Sequence, residues 1–316
     1  MKKDNLIIKK ITSEELGERV DTVLSKLFPD YSRNKLTKWL NEGLIKLEGL
    51  DSIKPSQKIL KETEVHLSIP NEDETIFAPE DINVPILAEE KDFLVIEKPA
   101  GMVVHPGAGN RTGTLLNGLL FMYPELSKIP RAGIVHRLDK DTSGLMVVGR
   151  NLQATQVLSN QISERTVKRI YEAFTVGELK KSGKINAPLG RHPQNRQKQA
   201  VIDNGREAIT HYKVITNYGS YSHIEVSLET GRTHQIRVHM NYQGYPLIGD
   251  PLYGRRRRFA KGTHKELREV IESFPRQALH ASQLSFVNPK SLKLVEYRSN
   301  LPEDLKNLQQ NLVDQS

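Results

Sequence analysis

Apolar residues recur at two different periods along this chain, and the change of period divides it. Val20, Val23, Leu24 and Leu27 repeat at helical spacing until Pro29-Asp30 breaks the run. Ser32 stands where a cap belongs for a second helix that turns Leu36, Trp39 and Leu40 inward and stops near Gly43. Arg33, Lys35 and Lys38 fall outside that apolar stripe. Residues 44–47 and 64–69 read as short strands around a turn-rich middle. The stretch from Pro70 to Asp81 is acidic and carries prolines, which marks a linker. Beyond it strand signals dominate, at 93–96, 170–176, 209–215, 223–228, 284–287 and 292–297, with Asn217-Tyr-Gly-Ser220 closing a hairpin. Helical periods occupy 115–123, 152–165, 234–242 and 265–274. The pattern predicts an arm at 1–15, a small α+β unit at 16–70, a linker at 71–81 and a main domain at 82–316. Hairpin-linked strands with interspersed helices predict a mixed α/β (α+β) domain built on a central antiparallel sheet.

Composition narrows the function. A chain of 316 residues without cysteine has no thiol nucleophile, thiolate metal site or disulfide frame, and suits a reducing compartment. The first ten residues hold three apolar side chains between lysines, too few for a signal peptide or membrane span, so a cytoplasmic location is expected. The formal net charge is +8, and it is unevenly placed. Residues 252–265 contain Arg255, Arg256, Arg257, Arg258, Lys261 and Lys265 with no acid, and 191–198 form a second basic stretch. A single charge run is commonly a solvated loop; two such runs predict phosphate contact.

Candidate chemistry centres on Ile134-Val-His-Arg-Leu-Asp-Lys-Asp-Thr-Ser-Gly-Leu145. Asp139 lies in a polar turn beside Arg137, Lys140 and Gly144, between two apolar segments (134–135 and 145–148) that read as strands, a common setting for a catalytic group. Turn chemistry alone favours a carboxylate that only caps the turn. Gly107-Ala-Gly109-Asn-Arg-Thr-Gly113 lacks the ending of a phosphate loop and the third glycine of a dinucleotide fingerprint, and the ten histidines form no metal-binding motif. No cofactor and no metal are expected.

His136-Arg137-Leu138-Asp139 followed by Thr142-Ser143-Gly144 resembles the signature of the RluA-type RNA pseudouridine synthases. Further stretches match in the same order: Glu97-Lys98-Pro99-Ala100-Gly101 with His105-Pro106, then 168–173 around Tyr171, then 231–239 from Gly231 to His239. Gly249-Asp250-Pro251 with Tyr253-Gly254, and Leu279-His280-Ala281, follow them. The small unit at 16–70 is similar to an S4 RNA-binding domain, with Glu48-Gly49 where that family usually has Asn-Gly and Lys61-Glu62 where it usually has Gly-Asp.

The resemblance implies isomerisation of uridine to pseudouridine in structured RNA, most commonly large-subunit ribosomal RNA for members carrying an S4 unit. It implies Asp139 as the catalytic carboxylate, Arg237 as its cation partner and Tyr171 as the active-site tyrosine. Arg137 would enter the base stack vacated by an extruded uridine. Arg232, His136, Arg33, Lys35, Lys38 and Arg255 to Arg258 are expected to meet RNA, with His136, His234 and His239 as hydrogen-bonding scaffold rather than acid/base groups. Leu279 packs under the tyrosine or serves the core. A monomer without membrane attachment is expected. Transfer RNA is the alternative substrate. A non-catalytic ribosome-assembly factor is a second reading, and a glycoside hydrolase a third, which needs two carboxylates where only Asp141 lies near Asp139.

Overall fold

The computed structural model describes residues 5–29, 31, 33–50, 53–69, 77–107, 109–254, 259–260 and 262–314. Contacts divide the chain into two units, 1–76 and 77–316. Ser32, most of the acidic linker, Arg255 to Arg258 and Lys261 lie outside the described residues.

The first unit contains β1 (Asn5–Ile11), α1 (Val20–Leu27), α2 (Arg33–Asn41), β2 (Ile45–Leu47) and β3 (Thr63–Ile69). Its three strands form an antiparallel sheet in the order β1-β3-β2. The segment read from sequence as an arm therefore supplies an edge strand, paired with β3 from Asn5↔Ile69 to Ile11↔Thr63. Its alternation was masked because Leu6 and Ile8, on the outward side, are 49% and 51% exposed, so apolar residues occupy both faces. Ile11, Val23, Leu24, Leu36, Trp39, Val65 and Leu67 form the core between helices and sheet. Gly43, at φ +75°, ends α2 in a conformation that glycine adopts without strain.

The second unit runs β4 (Ile86–Glu89), β5 (Phe93–Lys98), α3 (Leu115–Met122), β6 (Ser143–Gly149), α4 (Leu152–Ser163), β7 (Lys168–Val176), β8 (Gly183–Asn186), β9 (Leu189–Arg191) and β10 (Gln199–Val201). It continues with β11 (Ile209–Tyr218), β12 (Tyr221–Leu228), α5 (Gln235–Tyr242), α6 (Lys265–Ser273), β13 (Leu279–Val287), β14 (Leu294–Arg298) and α7 (Glu303–Asp314). Among the described residues, nine strands make one sheet in the order β4-β5-β6-β13-β7-β12-β11-β8, with β14 also on β13; β9 and β10 form a separate ribbon. Pairings are antiparallel except β6 with β13, which touch in parallel at Ser143↔His280 and Gly144↔Ala281. Residues 77–81, read from sequence as the end of the linker, are held by this unit. Phe77 packs on its core, Ala78 O accepts from Asn117 Nδ2 at 2.8 Å, and Glu80 accepts from Gly113 N at 3.1 Å.

Both faces of the sheet are covered. On β5, Leu94 and Ile96 point into the core that includes α3, while Phe93 and Val95 point into the core under α4, as a strand's period of two requires. On β7, Tyr171 and Ala173 share the first face, whereas Phe174 and Val176 meet α6 and α7 on the other. Helix α5 lies on the Tyr171 face through Ile236 and Met240.

The turn that carries Asp139 feeds into β6 where β6 meets β13. Gly144 has φ +118°, and a Cβ there would collide with the backbone of Ala281, so glycine permits this close parallel approach. Ile134, read as part of a strand, makes only an isolated bridge to Val148. The left-handed backbone of Arg131, Ala132 and Gly133 bends the chain just before it. The turn is pinned from below by His136, whose Nε2 accepts from Val147 N at 3.0 Å and must therefore be unprotonated. Burial, then the charge of Arg169, lowers the His136 pKa to about 3. Between pH 6.5 and about 3 the unfolded chain takes up a proton that the folded chain refuses, so stability from this group is complete above 6.5 and declines as pH falls through that window. In urea unfolding from pH 8 to pH 4, the stability advantage of wild type over His136→Asn is expected to shrink steadily; a constant difference would contradict this role.

Candidate active site

Each residue from Asp139 to Ser143 is tied down by a neighbour, so the turn is a fixed frame rather than a loose loop. Asp139 O accepts from Thr142 N at 3.1 Å, closing the turn itself. Lys140 O accepts from Lys98 Nζ at 2.9 Å, and the same ammonium donates to Pro99 O at 2.7 Å and Met102 O at 3.0 Å. Three carbonyls match the three donors of an ammonium. Lys98 is fully buried, and that burial brings its pKa down to about 7 against the opposing pull of Asp141 and Asp139. Asp141 O accepts from Arg276 Nη1 at 3.3 Å, and Thr142 Oγ1 accepts from Gln277 Nε2 at 3.0 Å. Ser143 Oγ bonds His280 Nδ1 at 2.9 Å. Arg276 is in turn clamped by Asp304 of α7, at 2.6 Å and 2.9 Å.

The side chain of Asp139 meets one cation. Arg237 Nη1 donates to Asp139 Oδ2 at 3.0 Å. The other edge of the same guanidinium grips Asp250 bidentately, Nε to Oδ2 at 2.7 Å and Nη2 to Oδ1 at 3.0 Å. Side-chain exposure grades along the row, from 0% at Asp250 and 4% at Arg237 to 18% at Asp139. The inner carboxylate is thus structural and the outer one faces the cleft. Asp250 is itself fixed by Leu252 N and Tyr253 N, at 2.9 Å and 3.0 Å. Burial opposes the charge on Arg237, but the bonds and charge of Asp250, and then of Asp139, outweigh it and raise its pKa.

Two aromatic residues frame this row. The Tyr253 ring lies 5.2 Å from the Arg237 guanidinium carbon, within cation–π range. Its hydroxyl accepts from Gln199 N and bonds His234 Nδ1, both at 2.9 Å. His234 sits at φ +57°, a left-handed conformation rare outside glycine, with Nε2 3.9 Å from Asp139 Oδ2. Burial foremost lowers its pKa, against the pull of Asp139.

Asp139, Arg237 and Tyr171 line one cleft of about 230 Å³, together with Leu279, Arg137 and Arg232. Tyr171 is buried, which raises the pKa of its hydroxyl, and among the described residues that hydroxyl has no hydrogen-bond partner. A second recess of about 570 Å³ shares Arg137, Asp139, His234 and Arg237 with the first and is bounded by His105, Pro106 and Pro251. Arg137 is exposed at the junction of the two. Arg232 is half-buried and its Nε donates to Glu207 O at 3.1 Å.

The remaining candidates are elsewhere. Arg33, Lys35 and Lys38 lie on α2 of the first unit: Arg33 pairs with Asp21 at 2.8 Å, Lys35 Nζ is 4.8 Å from the Trp39 ring, and Lys38 is 3.7 Å from Glu42. Among the described residues, Glu48, Glu64 and His66 of the first unit are the one group of three acidic or histidine ligands close enough to share an ion, and the cleft holds no such group. Sequence reasoning placed Lys98, Asp250 and Tyr253 in matching motifs without a role, and passed over Arg276. Their signal was position within those motifs; their function is visible only once the carbonyls and the guanidinium they hold are in place.

The model of the RNA pseudouridylate synthase family matches residues 92–242. A ribosomal large subunit pseudouridine synthase D of Neisseria meningitidis is 48% identical over 307 residues, covering 96% of this chain and 81% of the relative. The protein of the same description from Pseudomonas aeruginosa is 45% identical over 288 residues, covering 91% and 90%. The fold is shared with the solved structure of human RNA pseudouridylate synthase domain containing 4, at a TM-score of 0.58 and 24% identity over 72% of this chain and 92% of that one. With this identity along nearly the whole chain, and a single cleft holding the aspartate, arginine and tyrosine of its motifs, the protein belongs to the RNA pseudouridylate synthase family and is an isomerase.

Proposed function

We propose that the enzyme converts specific uridines of large-subunit ribosomal RNA to pseudouridine, with Asp139 as the catalytic carboxylate. The relatives cited above carry that substrate in their descriptions. The observation that carries the assignment of residues is the row Asp250–Arg237–Asp139, which presents one carboxylate to the cleft and keeps the other behind the cation. The reaction breaks the N1–C1′ bond, turns the base and joins C5 to C1′, with loss of the C5 proton and no net oxidation, so it calls for no cofactor. Asp139 meets the ribose as the glycosidic bond opens, and Arg237 keeps the carboxylate charged in a cleft that RNA fills. Tyr171 lies against the base, its free hydroxyl on the side where the C5 proton departs. Arg137, exposed at the mouth, occupies the vacated place in the RNA stack and offsets part of the few kcal/mol that extrusion costs. A glycoside hydrolase needs a second free carboxyl group; both oxygens of Asp250 are taken by Arg237, which speaks against that reading.

The first unit serves as an S4-like RNA-binding arm through Arg33, Lys35 and Lys38, and Arg232 with Arg255 to Arg258 contacts phosphates. His136 contributes by holding the turn. The protein works as a cytoplasmic monomer on structured RNA, transfer RNA being the alternative substrate. Among the described residues no helix is long and apolar enough to cross a membrane.

Asp139→Asn is expected to release no tritium from C5-labelled uridine in ribosomal RNA while keeping its RNA affinity, since the amide preserves shape and loses the nucleophile. Arg237→Met should slow turnover by about two orders of magnitude or more. Tyr171→Phe keeps the ring and should lose about a hundredfold; Tyr171→Leu should lose more. Wild-type rates in all of these variants would remove the assignment.

A chain cut to 77–316 retains Phe77, Ala78 and Glu80 on the second unit and is expected to fold and to isomerise uridine. Its affinity for ribosomal RNA should fall by about tenfold to a hundredfold, as expected for loss of a linked module, and it should modify additional sites. Equal affinity and an identical pattern of modified uridines would show that residues 1–76 do not direct specificity.

A further inference from the structure

Among the described residues, four buried side-chain nitrogen or oxygen atoms lack a hydrogen-bond partner, and three of them belong to residues lining the two recesses at Asp139. His105 and Gln277 line the larger recess and Arg169 lines the smaller; the orphaned atoms are His105 Nε2, Gln277 Oε1 and Arg169 Nε. Folded proteins pair roughly nine-tenths or more of such atoms, so a cluster of exceptions around one aspartate asks for an explanation. Arg169 is the most telling. It lies two residues before Tyr171 on β7 and so projects from the same face of the sheet into the same cleft. Among the described residues its buried Nε has no hydrogen-bond partner.

Two features set what it is waiting for. The row and the cleft together hold four arginines, at 137, 169, 232 and 237, against two aspartates, at 139 and 250. Asp250 and Asp139 balance Arg237 and one further cation, which leaves the cleft positive and suited to an anion rather than a neutral base edge. The guanidinium is also given room. A Cβ on residue 231 would come within 2.7 Å of Arg169 Nη1, so the guanidinium lies close against the segment leading to His234 and a side chain at 231 would make its end shift.

We propose that Arg169 binds a phosphodiester of the target nucleotide inside this cleft and so sets the ribose against Asp139 while the base lies on Tyr171. It is a substrate-binding residue for the known reaction, and the inference rests on the cleft being the uridine site. A guanidinium suits the task because its planar fork can hold two phosphate oxygens at once.

The test is salt-dependent binding of unmodified large-subunit ribosomal RNA to Asp139→Asn and to Asp139→Asn/Arg169→Met, which separates affinity from turnover. Loss of one phosphate contact should reduce the magnitude of the slope of log affinity against log salt by about 0.7 to 0.9. Arg169→Lys should restore the slope and only part of the affinity, because a point charge replaces the fork. In the active enzyme, Arg169→Met should raise KM about tenfold or more with a smaller change in kcat. Gly231→Ala, which crowds the guanidinium without removing it, should raise KM in wild type and add nothing in Arg169→Met. An unchanged slope with a fall in kcat would mean contact with a uracil carbonyl, and an unchanged slope with only a lowered Tm would mean a structural role; either overturns the proposal. Turnover by Asp139→Asn would instead overturn the reading of the cleft on which it rests.

Discussion

A buried guanidinium shared by two carboxylates is the constraint on which the site depends. Arg237 has almost no contact with water, and Asp250 and Asp139 balance its charge there by facing it on two edges. The fork of an arginine fixes direction as well as distance: with Nε and Nη2 held by Asp250, Nη1 can point only one way, and Asp139 lies there. A lysine could supply the charge and not the direction. Removing one member of such a buried set leaves an uncompensated ion, at a cost of about 3–5 kcal/mol. The row therefore joins α5, the turn after Gly249 and the turn before β6 into one piece.

The backbone of the Asp139 turn is held by the same physical device. Lys98 and Arg276 are buried basic side chains whose donors go largely to carbonyl oxygens, at Lys140 and Asp141 among others. Main-chain carbonyls in a tight turn cannot all find ladder partners, and an unmet one inside the protein costs about 1–3 kcal/mol. Using basic side chains as those partners satisfies the carbonyls and brings positive charge near the Asp139 carboxylate at once. It also explains why distant parts of the chain converge here. β5 ends in Lys98, α7 supplies Asp304 to Arg276, and β13 brings His280 to Ser143, with Ser299 and Glu97 continuing that chain of hydrogen bonds.

How much of this was legible in the sequence differed by kind of signal. Strongly periodic segments were clear, and α1, α3 and β12 fall where the pattern puts them. Strand β1 was not, because its outward Leu6 and Ile8 break the alternation of apolar with polar. Helix α7, with Leu305, Leu308 and Leu312 at helical spacing, went unread although its period was present. The parallel contact of β6 with β13 has no local sequence signature; it depends on Gly144 allowing a backbone to pass close to Ala281. For the site, motif resemblance singled out Asp139, Tyr171 and Arg237, which the structure places on one cleft. It could not show that Asp250 holds the arginine, because residues 13 positions apart become partners only through the packing of α5 against the following turn.

The central claim is that Asp250 acts on catalysis only through Arg237, and a double-mutant cycle tests it most directly. Single-turnover rates of pseudouridine formation would be compared for wild type, Asp250→Asn, Arg237→Met and the double variant, each first confirmed as folded at the assay temperature. The account predicts that the double variant is no slower than Arg237→Met alone, because the aspartate has nothing left to position. Losses that multiply would show that the two residues contribute independently, and would contradict it.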